Sequence, residues 1–182
     1  MGMAVSIPRY TVDDLEHFPD DGNRYELLDG VLLVSPAPSV AHQTVANRMQ
    51  SRLTAAVEWP GYARIAGPGA ITVPPGTQLQ PDILVYPARF PVDIKWQDVT
   101  EHWLAVEILS RSSRMYDREF KRDAYLALGV REVWLVDLRD RSIEVCTQPG
   151  EGRLVRDTVT WSMPDGDASV HVELTELFEG IV

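Results

Sequence analysis

The sequence predicts an α/β domain on a mixed β-sheet. Three observations carry this. Helix-like and strand-like periodicities interleave along the chain, with no internal repeat, low-complexity tract or interdomain linker. Trp103–Leu109, WLAVEIL, is an almost unbroken apolar run of the kind found in central strands covered on both faces. Asp29-Gly30 separates two short apolar runs, a strong hairpin signal. The 182 residues suit one domain, 1–182, with a sizeable core.

Taken in order, Thr11-Val12-Asp13-Asp14-Leu15 reads as a short helix with Thr11 as N-cap and acids in its first turn. The hairpin spans Arg24 to Val34, and Pro36 and Pro38 break its pattern. Ser39 caps a helix running to about Glu58, with Val45, Met49, Leu53 and Ala56 as its apolar stripe and Pro60-Gly61 as its stop. Short strands follow near Tyr62–Ile65 and Ala70–Val73, then a turn at Pro74-Pro75-Gly76 and a strand at Asp82–Tyr86. Residues 87–101 read as a mobile loop exposing Asp93, Lys95 and Asp98. After Trp103–Leu109, Ser110–Ser113 cap a helix to about Leu128, which Gly129 ends. Val133–Asp137 and Ser142–Cys146 are strands joined by the charged turn 138–141, and the remainder holds further strands and a final helix near Thr175–Phe178.

Composition narrows the classes. A 45% hydrophobic and 24% charged chain is ordinary for a globular protein. No apolar run nears the roughly 20 residues that span a bilayer. Met1–Arg9 lacks the basic and apolar regions of a signal peptide, so a cytoplasmic protein without membrane association is expected. The single cysteine, Cys146, reads as a small buried hydrophobe. A net charge of −10 argues against nucleic-acid binding over the whole surface. A local basic excess does occur: Arg111, Arg114, Arg118, Lys121 and Arg122 face only Asp117 and Glu119. By composition this is a solvated helix face, but it adjoins the acids discussed next.

Alternation places Asp82 on one face with Leu84 and Tyr86, and Glu107 on one face with Trp103, Ala105 and Leu109. Glu107 is the only ionisable residue in its run, and a charge there is costly unless paired or bound to metal. Two carboxylates and the lysine of the following helix, Lys121, suit metal-dependent phosphodiester hydrolysis. A hard Mg²⁺ or Mn²⁺ takes carboxylate oxygens, waters and phosphate, and a lysine orients a water or stabilises phosphate charge. Each residue alone has an ordinary explanation: turn chemistry at Pro81-Asp82, a cap or an Arg111 or Arg114 partner at Glu107, a surface lysine at Lys121. Their joint placement at element ends favours the site.

These residues resemble the PD-(D/E)XK, restriction-endonuclease-like superfamily and, more closely, the bacterial Uma-two endonuclease family. The resemblance runs from about Tyr10 to Phe178. It rests on YELLDG at residues 25–30, Ser35-Pro36-Ala37-Pro38 with His42 following, Pro81-Asp82-Ile83, Val106–Ser110, Lys121 with Tyr125, and Gly129–Asp137. It implies an αβββαβ core flanked by helices with an N-terminal β-hairpin extension. It implies Asp82 and Glu107 as metal ligands, with the Ile108 carbonyl as a further candidate, Glu26 as a third acid of the catalytic cluster, and a family position at His42. The superfamily lysine normally lies two residues after the acid, where this chain has Leu109; Lys121 is the natural replacement. Arg111 stands where the family tends to have proline. Arg114, Arg118, Lys121 and Arg122 fall on one helical face, which would aim the three arginines at DNA phosphates.

The leading reading is therefore a divalent-metal-dependent DNA endonuclease. Two others stay open: a catalytically inactive binding or regulatory protein on the same fold, and a metal-dependent hydrolase of RNA or another phosphate ester. Walker, zinc-protease and serine-esterase motifs are absent. Trp96 and Trp161 are candidate exposed anchors for a homodimer, the arrangement that suits cutting both strands of a duplex.

Overall fold

The computed structural model describes residues 9–109 and 120–181. The first element is a 3₁₀ turn, Val12–His17; Thr11 before it donates its backbone N–H (2.7 Å) and hydroxyl (2.8 Å) to the Asp14 carboxylate. Strands β1 (Arg24–Leu28) and β2 (Val31–Ser35) form the expected hairpin. Asp29 and Gly30 have φ of 50° and 78°, the left-handed pair whose twist matches the flanking strands. Helix α1 (Val40–Leu53) starts where the Ser39 hydroxyl accepts the His42 N–H at 3.2 Å, and it continues into a π-helical turn, Thr54–Glu58. Short strands β3 (Ala63–Ala66), β4 (Ile71–Val73) and β5 (Thr77–Leu79) follow. The sequence reading stopped at the turn before β5 and did not anticipate that strand.

Then come β6 (Ile83–Pro87), β7 (His102–Leu109), α2 (Arg122–Ala127), β8 (Val130–Asp137), β9 (Ser142–Gln148), β10 (Glu151–Val155), β11 (Thr158–Ser162), β12 (Ser169–Glu173) and α3 (Leu174–Leu177). Gly129, at φ 89°, ends α2 as anticipated. The main sheet has the order β10-β9-β8-β7-β6-β3, and a second sheet the order β2-β1-β5-β4. Within the main sheet β7 and β8 run parallel and the other pairs antiparallel, so the sheet is mixed as predicted. A parallel pair needs a crossover, and α2 lies on it.

Two apolar clusters cover the faces of the main sheet. One holds Val45, Met49 and Leu53 of α1 with Val106, Trp134 and Trp161; the other holds Tyr125 of α2 with Leu84, Ala105, Leu109 and Leu135. Alternation along each strand decides which residue goes to which side. No helix among the described residues is long and apolar enough to cross a membrane.

Three expectations need correction. Trp161 is 1% exposed, because β11 turns Val159 and Trp161 inward, so it offers no dimer surface. Trp96 packs edge-on against Tyr86 at 5.9 Å and is half-buried; the exposed tryptophan is Trp59. The segment read as a mobile loop contains a 3₁₀ turn, Trp96–Asp98, and is pinned through Phe90, Ile94 and Trp96 onto the second cluster, though Asp93, Lys95 and Asp98 are exposed as expected. The predicted cap at Ser110–Ser113 and the first part of its helix, with Arg111, Arg114 and Arg118, lie outside the described residues.

Candidate active site

Strand register assembles the acids. Ile83, the first residue of β6, pairs with Val106 of β7, and Asp82 just before it accepts the Ile108 N–H, which brings it beside Glu107 at the same end of β7. Both acids belong to the face that carries Leu84, Ala105 and Leu109 into the second cluster. Each side chain is only 4% exposed, so each carboxylate needs compensation.

Helix α2 supplies it for Glu107. Lys121, at the entrance of α2, brings Nζ to 3.3 Å from Glu107 Oε1, and the Tyr125 hydroxyl, four residues on, donates to the same oxygen at 2.5 Å. Leu109 fills the usual lysine slot with an apolar core contact, so the ammonium arrives from the helix instead. Lys121 Nζ also lies 2.6 Å from Glu26 Oε2, and the Gln80 N–H donates to Glu26 Oε1 at 2.6 Å. Lys121 thus sits between two buried carboxylates.

Asp82 is compensated from three directions. Arg24 Nη2 reaches Oδ1 at 3.0 Å; His42 Nε2 and the Ile108 N–H reach Oδ2 at 3.1 and 2.8 Å. Burial pushes the Asp82 carboxyl up, but the His42 hydrogen bond and charge, the Arg24 guanidinium and the Ile108 N–H outweigh it and hold the group below its usual range. Burial likewise works against the Arg24 charge, and Asp82, Glu107 and Glu26 more than restore it. Burial, then the charges of Glu107 and Glu26, push the Tyr125 hydroxyl well above its ordinary value, so it remains a proton donor.

Arg24, His42, Asp82, Glu107 and Lys121 form the floor of an open cleft of about 1880 Å³, with Glu26 and Tyr125 buried behind them. One wall is the 3₁₀ turn and hairpin, another the Pro36–Ser39 entry to α1, a third the 138–141 turn with Arg139 and Arg141.

Of the residues singled out from sequence, Glu26, Asp82, Glu107 and Lys121 are brought together. Arg122 is not. It donates Nε–H to Asp123 Oδ1 at 2.7 Å and lies 3.8 Å from Glu144, because the helical turn that aims Lys121 at the acids rotates its neighbour away. It is therefore not a cleft residue, and Arg114 and Arg118 lie outside the described residues. Arg24 was missed, although its spacing of two from Glu26 on a strand places both on one face. His42, noted only as a family position, joins the site from the first turn of α1.

The donor chemistry fits a hard divalent cation in part. Among the described residues no group of three His, Cys, Asp or Glu side chains is disposed to hold a metal. Two carboxylates on adjacent strands, opening to one cleft, are the donor set of a site completed by waters and substrate phosphate. Asp82 accepts three bonds on oxygens that offer about four lone-pair sites, which leaves capacity for one more.

Fold and site together define a restriction-endonuclease-like α/β protein with its acids and a lysine gathered at the end of the central strands. Residues 12–179 match the Uma2 family, described as "Putative restriction endonuclease", and the chain belongs to that family. The structure is similar to the crystal structure of a putative nuclease from Anabaena variabilis ATCC 29413, with a TM-score of 0.77 over 94% of this chain and 99% of that one; at 19% identity the likeness concerns the fold. No curated protein matches the chain.

Proposed function

We propose that the protein is a divalent-metal-dependent endonuclease that hydrolyses DNA phosphodiester bonds. The observation that carries this reading is that Asp82, Glu107 and Lys121 line one open cleft, with Lys121 Nζ 3.3 Å from Glu107. Family membership and the fold of the similar nuclease support it. Asp82 and Glu107 would hold Mg²⁺ or Mn²⁺, which supplies Lewis-acid polarisation of the phosphate and activation of a water. Lys121 places positive charge where phosphoryl oxygens become more negative, and Glu26, on its other side, fixes the ammonium. Tyr125 holds Glu107 by the shared oxygen, so the carboxylate meets the cleft in one orientation.

The test is cleavage of supercoiled plasmid by purified protein with Mn²⁺, Mg²⁺ or EDTA, with an RNA substrate alongside and Glu107→Ala as control. Metal-dependent nicking that falls on the order of a thousandfold in the variant is the expected result. Nicking that persists in EDTA or in Glu107→Ala overturns it.

One observation favours a second reading. Both Asp82 oxygens already bear protein donors, as suits a binding protein whose acids are structural. That reading requires no Mn²⁺ binding by calorimetry and no cleavage of either nucleic acid.

A further inference from the structure

Arg24 is a charged group on the cleft floor to which the scheme above gives no task. Its side chain is 23% exposed, whereas Asp82 is 4% and Lys121 4%, so Arg24 is the cation of this cluster that a ligand in the cleft reaches first. A guanidinium carries five N–H donors in a fixed fork. Two are engaged: Nη1 to the Gln80 carbonyl and Nη2 to Asp82 Oδ1, each at 3.0 Å. No other acceptor contacts it among the described residues. The two anchors lie on the two terminal nitrogens and set the plane of the group, so little rotamer freedom remains to be lost when a third partner binds.

A planar, anchored guanidinium with spare donors, beside two buried acids, matches a tetrahedral oxyanion offering a pair of oxygens. We propose that Arg24 is the phosphate-binding residue of the cleft, receiving the non-bridging oxygens of the phosphodiester that lies against Asp82 and Glu107. The polymeric substrate in this statement rests on the endonuclease reading; the capture of phosphate by Arg24 does not. β1 then brings a matched pair to the site: Glu26 for the lysine and Arg24 for the substrate.

The experiment measures binding without turnover. A labelled short DNA duplex is titrated in EDTA at several salt concentrations, with inorganic phosphate as competitor, for the wild type, Arg24→Gln and Arg24→Lys. Circular dichroism melting shows whether each variant is folded. Arg24→Gln should weaken binding on the order of tenfold and lower the slope of log K against log salt by about one. Arg24→Lys should restore the slope but not the full affinity, since an ammonium lacks the fork. A change in a purely structural partner of Asp82 would not move the salt slope. Folded Arg24→Gln with wild-type affinity and slope overturns the proposal, and wild-type plasmid cleavage beside that result leaves the endonuclease reading standing. If Arg24→Gln does not fold, wild-type phosphate competition in folded Arg24→Lys overturns it. Failure of the wild type to bind either probe overturns it too. Arg24-dependent phosphate binding with no cleavage in metal upholds it and removes the endonuclease reading instead.

Discussion

The two ends of β7 hold the same chemistry in opposite settings. Just before the strand, Glu101 accepts bonds from Arg89, Arg131 and, at 2.7 Å, the Trp103 indole N–H. Near its other end, Glu107 accepts from Lys121 and the Tyr125 hydroxyl. Each is a glutamate met by positive charge and an aromatic donor. Arg89 and Arg131 are 56% and 46% exposed, while Lys121 is 4%. Water does most of the solvating at the first end, so each ion pair there contributes little. At the second, protein groups replace water, and removing one strands the others. A buried charge cluster retained beside an open cleft is the pattern of a working site; an exposed one is surface chemistry.

The largest effect that comparison anticipates is at Lys121. Lys121→Met leaves Glu26 and Glu107 buried beside one another with their shared cation gone, a loss of about 3–5 kcal/mol by urea unfolding. Adding Glu26→Gln should recover much of it, because one of the two adjacent buried negative charges is removed. A Lys121→Met midpoint equal to wild type would break the contrast between the two ends.

His102, the first residue of β7, sharpens it. Its ring is buried, Nε2 finds no hydrogen-bond partner among the described residues, and burial lowers its pKa from 6.5 to about 4, opposed by the Glu101 charge and a bond to the Val99 backbone. The unfolded chain therefore takes up a proton below pH 6.5 that the folded chain refuses until about pH 4. Stability is full above that window and falls as pH drops through it, by about 3 kcal/mol at most. His102→Gln should flatten this part of the stability–pH curve; an unchanged slope would show that other groups dominate.

What was legible from sequence follows the same division. Asp82 and Glu107 stood out because both fall at ends of apolar runs, where their joint placement with Lys121, rather than either acid alone, points to a site. Glu26 and Lys121 followed from the resemblance and the adjoining helix. Arg24 did not, and the resemblance marked His42 without its contact to Asp82, since β1 and α1 reach Asp82 only through tertiary packing, which no local period encodes. β5 is three residues, too short to show alternation. Trp161 was misjudged despite a readable signal: Val159, Trp161 and Met163 alternate with polar neighbours, and all three are buried. Arg122 lies off the cleft because residues adjacent on a helix point about 100° apart, so aiming Lys121 at the acids turns Arg122 toward Glu144.

The remaining two substitutions set the buried and exposed donors against each other directly. Tyr125→Phe removes one hydroxyl from Glu107 and leaves its other contacts, so about 1–3 kcal/mol should be lost, as for a hydrogen bond to a buried charge. Arg89→Ala also removes one donor from a glutamate. There Arg131 and the Trp103 N–H still hold Glu101, and water takes the vacated position, so the loss should be about 0.2–1 kcal/mol and shrink further at high salt. Both are read from denaturant midpoints at low and high ionic strength. If Arg89→Ala costs as much as Tyr125→Phe and is insensitive to salt, exposure is not what separates the two ends of β7, and burial would no longer set Glu107 apart from Glu101.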